Sequence, residues 1–219
     1  MTDATAFAAA PSRARLWAEF IALFVGLPLL MAATFGLYPL FPVLLGLAGL
    51  ACLLLHFSPA WRWRKLLQGP VLGEWRLILL FSAATAAVSY AVIMQAAPQR
   101  FLSLPTWNTG LWLAIMALYP LLSALPQELI YRSLFFERYG ALFPSKWAAI
   151  AANGAAFALG HLFFGHWVTI VMTGIGGAVM GWAYLRNGSL GLAWVIHSLA
   201  GQILFTFGLG IYFYHGAAG

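Results

Sequence analysis

The sequence predicts an all-α, polytopic transmembrane helical bundle, and three observations carry that prediction. Only 7% of its 219 residues are charged, whereas soluble domains carry about 25%. Apolar residues make up 63% of the chain, too many for the remaining polar groups to cover a water-facing surface. The apolar residues also fall into runs of about 20, the length a helix needs to cross a bilayer, separated by short basic gaps.

The elements follow in order. Residues 1–14, small and polar with Pro11, are expected to form a flexible tail, and 15–219 a single integral-membrane domain. Spans are expected at 17–35, 37–57, 75–97, 110–139, 146–164, 167–185 and 190–214. Gly36, Pro39 and Pro42 mark a tight connection between the first two, and the absence of a clear A-x-A site makes the first a retained span. The long fourth stretch contains Pro120 and Pro126, which either kink it or split it and raise the count to eight. Pro144-Ser145 and Asn187-Gly188 are the turns on either side of the fifth and sixth spans. Ala148, Ala152, Ala156, Gly154 and Gly160, then Gly174, Gly177 and Gly181, are spaced for close backbone approach in lipid. The last four helices are therefore expected inside the bundle, enclosing a conical polar cavity.

Net charge is +6, but the basic residues are dispersed among the gaps, which points to membrane orientation and not to nucleic acid. With the N-terminus inside, one face receives Arg13, Arg15, Arg62, Arg64, Lys65, Arg76, Arg132, Arg138, Lys146 and Arg186, and the other only Arg100. This predicts a cytoplasmic N-terminus and a periplasmic or extracellular C-terminus. Nine of the eleven basic residues are Arg, in keeping with a bacterial inner (plasma) membrane protein. A lone Cys52 excludes an intramolecular disulfide framework and a multi-cysteine metal site.

Ionisable groups deep in a span are costly and mark function by default. Asp3 lies in the tail, Glu19 and Glu74 at span ends, and Glu137 beside Arg138 at the interface. That isolates Glu128, with His161 and His197 also well inside spans. At 1.5 Å per residue, Glu128 and His161 both lie about 20–25 Å from the Pro144-Ser145 turn, and His197 about 15 Å from its own helix end. Arg132, four residues on, shares a helical face with Glu128 and would neutralise or position it. Asn153, Phe157 and His161 form a stripe at four-residue spacing; Gln202 is ambiguous. His56, His166 and His215 are expected at interfaces.

A carboxylate removed from water is a stronger base, a neighbouring histidine shares its proton, and a second stabilises an oxyanion. No Gly-x-Ser-x-Gly is present, so a water activated by Glu128 is the natural attacker on an amide or ester. Glu128, His161 and His197 would also supply three zinc ligands, but there is no His-Glu-x-x-His helix and Arg132 opposes a cation. No cofactor is expected, zinc being the minority alternative.

Gln127-Glu128-x-x-x-Arg132, Phe157-x-x-x-His161 and His197, in this order on successive core helices, resemble the CPBP family, which includes the type II CAAX prenyl proteases and bacteriocin-processing proteins. The resemblance covers residues 110–214; the first hundred match only in being transmembrane. It implies an intramembrane endopeptidase without a covalent intermediate, acting on a membrane-associated or lipid-modified peptide. It implies Glu128 as general base, His161 as its partner, His197 as oxyanion donor and Arg132 as positioner, with Gln127, Asn153, Phe157 and Gln202 supporting. Two departures stand out. The family's usual first motif is Glu-Glu-x-x-x-Arg, with the base role given to the first Glu, where this chain has Gln127. The third motif has Gly201 where Asn is usual. Either Glu128 has taken the base role, or the protein is a non-catalytic scaffold, immunity or accessory factor using the same cavity for binding. A transporter has less support, with one deep carboxylate and no matched pair of broken helices.

Overall fold

The computed structural model describes residues 11–34, 36–58 and 61–213. Asp3, most of the expected tail, Tyr214 and His215 lie outside the described residues. Among the described residues all regular structure is helical. Seven main helices occupy the seven expected intervals: α1 Arg13–Ala33, α2 Leu40–His56, α3 Leu72–Ala96, α4 Thr109–Leu142, α5 Lys146–Phe164, α6 Trp167–Asn187 and α7 Leu190–Thr206. Five are long and apolar enough by themselves to cross a membrane, while α2 and α7 are shorter.

Their starts are set locally. Ser12, Asn108, Ser145 and Ser189 each accept a hydrogen bond from the backbone N–H three residues on, satisfying a helix's otherwise unpaired first donors. Helix α1 thus begins at Arg13, inside the expected tail. Gly188 ends α6 with a φ of 58°, as the Asn187-Gly188 turn predicts.

Helix α4 runs unbroken for 34 residues, about 50 Å at 1.5 Å per residue. Pro120 and Pro126 do not split it. A proline in a helix lacks an N–H and crowds the carbonyl four residues back. In α1 and α4 a wider, π-type stretch absorbs this, Ala22–Gly26 ending two residues before Pro28 and Pro120–Ala124 two before Pro126. A third such stretch, Leu129–Tyr139, buries Arg132 through Phe136 consecutively. A helix packed on one side hides only one stripe, so this part of α4 is surrounded, and α1, α2, α5, α6 and α7 all touch it.

The expected 190–214 span is not one helix. Helix α7 stops at Thr206, and Gly208, at a φ of 94°, turns the chain against the Arg100 carbonyl into a short Leu209–Tyr212 turn.

The small-residue prediction holds. Helices α5 and α6 make the most extensive helix–helix contact, and a Cβ on Gly154 would lie 2.7 Å from the Gly174 carbonyl oxygen. Phe20, Phe24, Phe135, Tyr139 and Phe143 form an aromatic cluster joining α1 to α4. At the arginine-rich end, Glu19 pairs with Arg138 at 2.7 Å, Glu137 with Lys65 at 2.6 Å and Glu74 with Arg186 at 3.6 Å. Arg132 does not join them. Its side chain is wholly buried, so it leaves the interfacial set, and the asymmetry falls from ten against one to nine against one.

Candidate active site

The residues singled out in the sequence divide into a buried network and a cavity wall. Glu128 is the centre of the network and is fully buried. Its Oε2 accepts from Arg132 Nε at 2.9 Å and its Oε1 from His197 Nδ1 at 2.8 Å. Arg132 Nη1 also donates to Asn153 Oδ1. Asn153 Nδ2 in turn donates to the Tyr131 carbonyl at 2.6 Å. Three helices are thereby tied at one charge: α4 through Glu128 and Arg132, α5 through Asn153, and α7 through His197. A buried ion pair persists only when its remaining polar atoms are also satisfied, and Asn153 supplies that completion.

Phe157 is the apolar post of this arrangement. Its ring lies 4.6 Å from that of His161, 5.5 Å from that of His197, and 5.1 Å from the Arg132 guanidinium carbon. Helix α6 stands behind it without a side chain in the way. A Cβ on Gly181 would come within 2.7 Å of Asn153 Oδ1, and one on Gly177 within 2.8 Å of Phe157 Cβ. The glycines that predict close packing therefore also seat the network.

The histidine pairing differs from the expected one. Glu128 bonds His197, while His161 Nδ1 lies 2.7 Å from the Phe157 carbonyl oxygen of its own helix. The reason is local: regular α5 turns end at Leu159, and the last carbonyls of a helix lack backbone partners. Since a carbonyl only accepts, His161 Nδ1 carries the hydrogen and Nε2 is the acceptor of the neutral ring. The same logic, with a carboxylate acceptor, puts the hydrogen of His197 on Nδ1 and leaves Nε2 as its acceptor.

Beside the network lies a cavity of about 540 Å³. Its composition differs from the one expected. Helices α1 and α2 supply an apolar wall of residues such as Leu27, Met31 and Leu47, and α6 contributes no lining residue. The polar wall comes from Tyr119, Ser123, Gln127 and Tyr131 of α4, with His161 of α5. Gln127 Nε2 donates to Ser123 Oγ at 2.9 Å, and Gln127 Oε1 is buried without a protein partner. No carboxylate lines the cavity among the described residues. Gln202 is spent elsewhere, donating from Nε2 to the Met116 carbonyl at 2.8 Å and so fastening α7 to α4.

Sequence reasoning missed Tyr119 and Ser123. Their signal was the four-residue spacing of Tyr119, Ser123, Gln127 and Tyr131, a polar stripe on an otherwise apolar helix. Tyr119 lines the cavity, and its Oη lies 3.1 Å from His197 Nε2.

Glu128, His161 and His197 do not converge as a ligand set, because Glu128 and His197 are bonded to each other and His161 to a carbonyl. Among the described residues no group of three or more His, Cys, Asp or Glu is placed to hold a metal ion.

Residues 109–203 match the family model described as "Type II CAAX prenyl endopeptidase Rce1-like". No curated protein and no solved structure matches the chain. The matched segment begins where α4 begins and contains Gln127, Glu128, Arg132, Asn153, Phe157, His161, His197 and Gln202.

Proposed function

For a membrane protein whose residues 109–203 match the family model of Rce1-like type II CAAX prenyl endopeptidases, we propose an intramembrane endopeptidase that hydrolyses a peptide bond of a membrane-associated or lipid-modified substrate. The observation that supports this reading best is the 2.8 Å Glu128–His197 bond, closed off by Arg132 and Asn153 beside a cavity with one polar and one apolar wall. Such a cavity suits a ligand with a peptide side and a greasy side.

The geometry favours Glu128 acting through His197. The carboxylate fixes the imidazole and balances the charge it acquires when Nε2 accepts a proton during attack by water. His161 presents Nε2 on the cavity wall and holds the attacking water. Arg132 keeps the carboxylate in place. Water, not an acyl-enzyme, is the nucleophile. On the positive-inside rule, this reading puts the arginine-rich end, with the start of α1, on the cytoplasmic side. The proposed steps are carried by Glu128, His197, His161 and water, without a metal.

The test is cleavage of membrane-anchored peptide libraries by purified protein in proteoliposomes. Glu128→Gln, His161→Ala and His197→Ala are each expected to lower kcat by about 10²–10⁴-fold. Undiminished cleavage by Glu128→Gln or His197→Ala would refute the mechanism.

A second reading is a non-catalytic scaffold, immunity or accessory protein that uses the cavity to bind. The observation favouring it is that an amide, Gln127, and no carboxylate stands on the cavity wall among the described residues. It predicts binding of peptide without turnover.

A further inference from the structure

Glu128 and His197 are nearly sealed from the cavity, with the whole His197 residue 5% exposed and Glu128 not at all. The side chain that connects them to it is Tyr119. Its hydroxyl meets His197 Nε2 at 3.1 Å, and its ring stands edge-on to the imidazole, with centroids 6.0 Å apart, on the cavity wall. Because His197 Nδ1 is committed to the carboxylate, neutral His197 accepts at Nε2, so Tyr119 is the donor. The hydroxyl oxygen keeps its lone pairs on the side away from His197, where Ser123 of the cavity wall also meets it.

Gly201 makes room for this seat. A Cβ at position 201 would overlap the Tyr119 ring and hydroxyl. The same turn of α7 therefore carries the histidine that Tyr119 serves and the gap that Tyr119 fills. Phe205 also packs against this ring, with centroids 5.8 Å apart.

We propose that Tyr119 is a catalytic residue that relays the proton of the attacking water to His197; this rests on the endopeptidase reading above. As the water oxygen bonds to the substrate carbonyl carbon, the water O–H bond breaks and its proton passes to Tyr119 Oη. The Tyr119 hydroxyl proton passes to His197 Nε2. Tyrosine ends as it began, His197 becomes an imidazolium paired with Glu128, and the carbonyl oxygen takes the negative charge. Reversal of the relay returns the proton to the leaving amine, so no co-reactant is needed.

Tyr119→Phe removes only the hydroxyl. It is expected to lower kcat about 100-fold with KM within about twofold of wild type, the signature of an interaction made in the transition state. Gly201→Ala, which evicts the ring, should reproduce that loss, and the double variant should fall no further. A readout independent of turnover is the ¹⁵N resonance of His197 Nε2 in histidine-labelled protein, which should move in Tyr119→Phe and stay put in Tyr184→Phe, whose hydroxyl bonds Glu137 instead. If Tyr119→Phe keeps kcat within about threefold while His197→Ala abolishes cleavage, the relay is wrong and the endopeptidase reading survives. If the Nε2 resonance is unmoved, the hydrogen bond on which the relay stands is absent. If wild type cleaves no peptide, the endopeptidase reading fails and takes the relay with it.

Discussion

Replacing Arg132 by Met tests whether the network is the keystone of the α4–α5–α7 junction. The guanidinium is wholly buried and bonds Glu128 Oε2 and Asn153 Oδ1. Methionine fills a similar volume without charge. It leaves Glu128 with His197 as its one partner, and leaves Asn153 Oδ1 without its donor. Removing one member of a buried ion pair costs about 3–5 kcal/mol, because the other charge stays desolvated. For a chain of this length each kcal/mol shifts Tm by about 2–4 °C, so the expected loss is about 6–20 °C. The assay is thermal unfolding of detergent-solubilised protein followed by size-exclusion recovery. Adding Glu128→Gln to Arg132→Met removes the stranded charge and should recover about half of the loss or more. Arg132→Lys should fall between wild type and Met, since an ammonium cannot reproduce the guanidinium fork. Arg132→Met as stable as wild type, or a double variant no better than the single, would refute the reasoning.

Other outcomes follow from the same contacts. Gly181→Ala drives a methyl toward Asn153 Oδ1 and Phe136, and should cost about 1–3 kcal/mol in the same unfolding assay while lowering cleavage through a displaced Asn153. Tyr184→Phe loses the 3.1 Å bond to Glu137 and should cost about 1 kcal/mol without changing cleavage. A chelator titration should leave cleavage unchanged; loss that zinc restores would overturn the metal-free reading. In a Cys52→Ser background, a cysteine at Arg64 should be labelled by an impermeant thiol reagent only from the cytoplasmic side, and labelling from outside would reverse the proposed orientation.

Much of this fold is legible in the sequence because lipid imposes few alternatives. Apolar runs near the bilayer thickness become helices, and Ser145 and Gly188 end or start them by capping chemistry that acts over three residues. The rarity of charge in the spans picks out Glu128, His161 and His197 without any structural information. What the sequence does not reveal is which partner each finds. Depth along a helix brings Glu128 and His161 level, but the direction of a side chain depends on helix rotation, and the π-type turns of α4 alter that rotation locally. Glu128 therefore meets His197, and His161 finds the carbonyl that its own helix end leaves open. Arg132, counted with the interfacial charges, is buried for the same reason. The apolar wall from α1 and α2 was equally hidden, since any lipid-facing span carries the same residues. Tyr119 was within reach as part of a four-residue polar stripe, but a lone tyrosine in a span does not stand out as an ionisable group does.

If the buried Glu128–His197 pair serves hydrolysis, the protein cleaves peptides although Gln127 occupies the cavity wall. The most direct measurement compares cleavage of membrane-anchored peptides by wild type and Gln127→Glu in the same proteoliposomes, with H₂¹⁸O as the source of the new carboxylate oxygen. Wild type is expected to cleave and to incorporate ¹⁸O at each new C-terminus. Cleavage by Gln127→Glu alone, with wild type binding peptide but never turning it over, would contradict it and leave the cavity as a binding site.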